Sequence, residues 1–119
     1  MITALLVLVR GGIGAVVRFA TDSLLERRAL GQFPLGTLAV NVAGSFVLGL
    51  LTGLSASGGT RLLLGTATIG SYTTFSTWML EVHRPLEDGD APLAWLNVGA
   101  GLVAGFSAVL LGRLLGSAW

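Results

Sequence analysis

The sequence predicts an all-α membrane protein of four transmembrane helices, and three observations carry that expectation. Of its 119 residues, 53% are strongly apolar and only 11% are charged, whereas a soluble domain carries about a quarter charged residues. Mean hydropathy is +0.83. The apolar residues also collect in four runs, each close to the roughly 20 residues that a helix needs to cross a hydrocarbon core of about 30 Å. Backbone groups in that core have no water to pair with, so segments of this length must be helical.

The first run covers residues 2–20 and carries Arg10 and Arg18. No basic residue precedes its apolar start and no small-x-small cleavage pattern follows, so it reads as a span and not as a removable leader. The second, 35–54, contains no charged residue. The third covers 62–82. The fourth, 93–115, is charged only at Arg113. Pro34 and Pro92 stand just before spans, where proline suits a helix start. Connectors fall at 21–34, 55–61 and 84–92, and the whole chain makes one domain.

All seven basic residues are arginines, scattered along the chain, and the net charge is +1. Nothing here marks a nucleic-acid partner. With a cytoplasmic N-terminus, Arg61 and Arg113 lie inside while Arg27, Arg28 and Arg84 lie outside. The positive-inside rule orients a chain by a clear excess on one side, and this chain has none. Such a balance favours insertion in both orientations, which would let two copies pair antiparallel.

The absence of cysteine excludes disulfides and thiolate metal sites. The acidic residues Asp22, Glu26, Glu81, Glu87, Asp88 and Asp90 fall at the ends of the expected spans or in connectors. Membrane-embedded carboxylates are the usual proton relays of pumps and exporters, so proton-coupled cation export is disfavoured. The lone His83 reads as an interfacial polar residue and not as a metal ligand. There is no nucleophile–base set and no phosphate-binding loop, so an enzyme is not expected.

Neutral hydrogen-bonding groups fill the spans instead. Thr37, Asn41 and Ser45 recur at i, i+4 and i+8, on one helix face. That stripe reads either as interhelical bonding or as the wall of a polar path. In the third run, six of the eight residues from Gly70 to Thr77 are glycine, serine or threonine, a poor helix composition. It predicts a helix broken near mid-membrane, with freed backbone groups that must bind something or line a wet cavity. The alternative is a kinked helix whose hydroxyls bond back to the preceding turn. Phe75 and Trp78 share a face, and aromatic ring edges carry partial positive charge. Arg18 reads either as a snorkelling side chain or as a cation that gathers anions at a mouth. The pairs Gly49/Gly53, Gly101/Gly105 and Gly112/Gly116 read as helix-packing notches.

Three motifs together resemble the Fluc family of fluoride channels, also called CrcB, over essentially the whole chain. They are the glycine-rich stretch from Gly11 to Arg18, the run Gly36-Thr37-Leu38-Ala39-Val40-Asn41-Val42-Ala43-Gly44-Ser45-Phe46, and Thr73-Thr74-Phe75-Ser76-Thr77-Trp78. The resemblance implies a dual-topology antiparallel homodimer in the lipid bilayer, with two pores built from both subunits, that exports fluoride passively across the cell membrane. It places Asn41 and Phe75 in the pore, with hydroxyls of Thr37, Ser76 and Ser107 along the path and Arg18 at the vestibule. It also implies a structural sodium ion held by the backbone carbonyls of Gly70 and Thr73. The chain departs from the family pattern at Trp78, where phenylalanine is usual, and at Ser71, Tyr72 and Arg10. An indole there could narrow or re-polarise the pore. Those departures leave room for a heterodimer with a paralogue, in which this chain is a non-conducting subunit. A small multidrug exporter has a similar size and span count but needs an embedded glutamate.

Overall fold

The computed structural model describes residues 1–28, 33–55, 59 and 61–119, and among them it is helical without strands. In chain order the elements are α1 (Ile2–Arg28), α2 (Leu35–Gly53), the π-helical α3 (Arg61–Ile69), α4 (Gly70–Tyr72), α5 (Ser76–Glu87) and α6 (Ala91–Ser117). Three stretches are long and apolar enough to cross a membrane: Ile2–Leu25, Leu35–Gly53 and Ala91–Ser117. Between them, the third run, 62–82, expected as a span broken near mid-membrane, is divided among α3, α4 and α5. Residues 29–32 and most of the 55–61 connector lie outside the described residues.

The outer helices are longer than their apolar runs. α1 continues past residue 20 to Arg28, because 24–28 are good helix formers and no glycine or proline intervenes. Thr21 does not break it, since its Oγ1 donates to Val17 O at 2.8 Å within the helix. Asp22, expected in a connector, therefore rides on α1. At the other end Gly89 turns the chain with φ +80°, a conformation that glycine adopts without strain. Asp90 then accepts from Leu93 N at 3.2 Å and caps α6, with Pro92 in the first turn. α3 keeps π geometry, and the Thr68 hydroxyl donates to Leu63 O five residues back at 2.8 Å.

The helices close on one another through backbone. A Cβ placed on Gly49 or Gly53 of α2 would run into the carbonyl oxygen of Val109 or Arg113 of α6. Conversely, Cβ atoms on Gly112 and Gly116 would strike Phe46 O and Leu50 O of α2. Gly14 plays the same part for α1, facing Thr68 O and Ser71 Oγ. Small residues permit this approach where lipid supplies no hydrophobic drive between helices. The buried apolar side chains are accordingly small: Val40, Ala67, Ala94 and Ala108. Larger ones such as Leu8, Val16, Phe19, Val103 and Leu114 point outwards. Thr37 and Asn97 are among the most deeply buried side chains. An apolar exterior around a small, partly polar interior suits a chain solvated by lipid.

Candidate functional site

Between α4 and α5, residues 73–75 leave the helix, and Thr73 takes the extended conformation with φ −76° and ψ 158°. Asn41 of α2 reaches across to this stretch. Its Nδ2 donates to Thr74 O at 2.8 Å, and its Oδ1 accepts from Thr74 N at 2.8 Å. One carboxamide thus pairs with both backbone groups of one residue. In a continuous helix Thr74 N would donate to Gly70 O; turned to Asn41, it leaves that carbonyl free of its ladder partner. Thr74 Oγ1 accepts from Thr77 N at 3.3 Å and donates to Thr77 Oγ1 at 3.2 Å, which starts α5. Gly44 makes room for the stretch, since a Cβ there would strike Thr73 Cγ2.

The other hydroxyls of the run bond back to their own turns. Ser71 Oγ lies 2.8 Å from Ala67 O and 3.0 Å from Thr68 O, and Thr73 Oγ1 donates to Ile69 O at 3.1 Å. Back-bonded hydroxyls thus flank residues 73–75, where the backbone is not helical. From α1, Arg18 Nη1 makes a long contact of 3.4 Å to Thr73 O.

Beside this stretch lies an open groove of about 360 Å³, walled by α2, residues 73–78 and α6. Asn41, Ser45, Thr73 and Thr74 supply its polar lining, Phe106 with Gly101 and Gly105 part of its α6 wall, and Phe75 and Trp78 the aromatic lining from residues 73–78. The two rings meet edge to face, with centroids 5.9 Å apart and planes at 74°. Phe75 is 70% exposed, projecting from the chain.

Of the residues expected at a path, Asn41, Phe75 and Trp78 come together here. Thr37 continues the Asn41 face of α2 but is buried, and its hydroxyl donates to Glu81 Oε1 at 2.8 Å. Ser76, at the start of α5, and Ser107, on α6, are exposed and do not line the groove. Arg18 and Thr73 share one contact, and Gly70 opens α4. As ligands for sodium, the two carbonyls differ. Gly70 O has lost its ladder donor and suits a cation, whereas Thr73 O already faces a guanidinium that a sodium ion would have to displace.

Two residues escaped the sequence analysis. Glu81, expected at a helix end, faces inward and meets Thr37 across 44 positions of sequence, a pairing with no local signal. Asn97 is 1% exposed and accepts from Trp78 Nε1 at 3.2 Å. Its signal was present: an amide inside an apolar run needs partners. His83 is exposed on α5, with Nε2 3.2 Å from Glu87 Oε1.

Residues 5–113 match the family described as CrcB-like protein, Camphor Resistance (CrcB). Among curated proteins, the chain is 48% identical over 105 residues to fluoride-specific ion channel FluC 2 of Mycolicibacterium paratuberculosis, covering 88% of this chain and 86% of that protein. It is 42% identical over 114 residues to FluC 1 of Symbiobacterium thermophilum, covering 91% and 92%. With FluC 2 of Bacillus thuringiensis subsp. konkukian it shares 40% identity over 116 residues, 98% of each chain. Matches of this identity and coverage, over apolar helices and an asparagine-braced stretch, leave one conclusion: the chain is a multi-pass membrane protein and belongs to the CrcB family.

Proposed function

We propose that this chain is a subunit of a fluoride-selective channel that lets fluoride leave the cell passively, down its electrochemical gradient across the cell membrane. The observation that carries the proposal is the groove itself, where Asn41 braces Thr74 beside the edge-to-face pair Phe75–Trp78. Its relatives, named fluoride-specific ion channels, support the choice of ion. Fluoride is compact and strongly hydrated, so a path must replace its water with small donors. Amide and hydroxyl groups with positive ring edges offer this without a fixed cation that would trap the ion, and conduction requires release as well as entry.

The groove is open along one side, and Phe75 projects beyond its own chain. Both features suit a path completed by a second chain. With balanced arginines, that chain is an antiparallel copy of this one, and the interrupted third span lies near mid-membrane. The numbered names FluC 1 and FluC 2 among the relatives keep a paralogous partner as the second reading. Gly70 and Thr73 would hold sodium where two copies meet, Thr73 joining only once the Arg18 guanidinium leaves its carbonyl. Arg18, at Thr73, draws anions to the entrance. Thr37 is tied to Glu81, and Ser76 and Ser107, exposed in one chain, face the path only through the partner.

The deciding experiment is fluoride efflux from liposomes holding only this purified chain, read by a fluoride electrode beside a chloride control. Rapid loss of fluoride with chloride retained is expected. Flux of both ions would overturn selectivity. Flux only after addition of a paralogue would replace the homodimer with a heterodimer.

A further inference from the structure

Asn97 carries a donor that nothing above uses. Its side chain is 1% exposed on α6, and Oδ1 accepts the Trp78 indole N–H at 3.2 Å. Among the described residues, Nδ2 is buried without any hydrogen-bond partner. The amide cannot turn over to relieve this, because its NH₂ would then face the indole N–H, donor against donor. One turn along, Gly101 seats the indole: a Cβ there would come within 2.8 Å of Cζ2, 2.9 Å of Cε2 and 3.0 Å of Nε1. Asn97 and Gly101 therefore hold Trp78 with its N–H towards α6. The indole N–H is spent on this bond, so the departure from phenylalanine at Trp78 adds no donor to the groove. The donor it displaces onto the structure is Asn97 Nδ2.

Buried polar groups are almost always paired, and an orphan calls for a ligand, a water or a functional role. We propose that Asn97 Nδ2 is a fluoride-binding donor, reached past the edge of the Trp78 indole, and a selectivity-determining group of this channel. The proposal rests on the fluoride-channel reading. The chemistry favours fluoride: it is the smallest halide and the strongest hydrogen-bond acceptor among them, and the groove on the near side of the ring is lined by no basic side chain that would attract larger anions. Fluoride bound there is stripped of water on the ring side and accepts from the amide, while Oδ1 stays committed to Trp78.

The test has two arms, and the first does not depend on conduction. The Asn97 side-chain amide, assigned by its loss in Asn97→Leu, is followed by ¹H–¹⁵N NMR in detergent during titration with sodium fluoride and with sodium chloride. A saturable shift with fluoride alone is expected, in the wild type and in Trp78→Phe. An amide unmoved by fluoride overturns the proposal and assigns the site to a water. In the second arm, liposome flux is compared among the wild type, Asn97→Leu, Trp78→Phe and the double variant. A hydrogen bond to a charged group predicts that Asn97→Leu slows fluoride about 10-fold or more in both backgrounds. A loss that disappears in the Trp78→Phe background reduces Asn97 to a seat for the indole and overturns the donor role. A wild type without fluoride flux would sink the channel reading, and the amide titration would still decide the binding site.

Discussion

Replacing Asn41 by leucine, of similar size, removes both bonds to Thr74 in one step. The Thr74 N–H and C=O then lose partners that sit at 2.8 Å each. A lost hydrogen bond is worth about 1 kcal/mol net, and a buried orphan costs about 1–3 kcal/mol. The groove beside Thr74 is open and the bonds are only part-buried, so water relieves some of this and the low end applies. Two groups at about 1 kcal/mol each give about 2 kcal/mol, or about 30-fold in a local opening equilibrium. Amide-resolved hydrogen exchange in detergent reads it directly. The Thr74 amide is expected to exchange about 30-fold faster in Asn41→Leu, with amides of α6 unchanged. Asn41→Asp separates bracing from charge: it keeps an acceptor for Thr74 N, so that amide stays protected, while a fixed negative charge on the groove wall suppresses fluoride flux. Wild-type protection in Asn41→Leu would refute the bracing role, and undiminished flux in Asn41→Asp would remove Asn41 from the path.

Three further outcomes follow from the same geometry. Gly112→Val drives a side chain into Phe46 O and is expected to cost about 1–3 kcal/mol or more, seen as lost monodispersity on gel filtration; Gly99→Ala, with open space around it, is the neutral control. Phe75→Ile removes a projecting ring edge and should lower fluoride flux in liposomes without changing thermal stability; unchanged flux would reduce the ring to packing. Thr37→Val takes the hydroxyl from Glu81 and is expected to lower stability by about 1–2 kcal/mol in thermal unfolding. Unaltered stability there would show the bond to be incidental.

Much of the architecture was legible because lipid imposes a length rule. Runs of some 20 apolar residues fixed where α1, α2 and α6 cross, yet hydropathy tracks depth and not helicity, so it missed the continuation of α1 through 21–28. The weakness of the 70–77 run was visible in its composition. Which carbonyl loses its partner was not, because that depends on Asn41 arriving from 33 positions away. For the same reason Thr37 looked like a path hydroxyl until Glu81 came into range. The π turns of α3 carry no residue signature that separates them from α-helix. Trp78 illustrates the limit best: its indole N–H was plain in the sequence, but the direction in which it points is set by Asn97 and Gly101 on another helix.

The interlock of Gly49 and Gly53 with Gly112 and Gly116 has a consequence for how this lineage can change. Any base substitution in a glycine codon that alters the residue adds a side chain or ends the protein, and at these positions the first added carbon meets a carbonyl of the opposite helix. No single mutational step leads to a slightly larger residue that the seam can absorb. Tuning of the groove must therefore come from its aromatic and polar wall, while the α2–α6 seam is inherited intact or lost together with the fold.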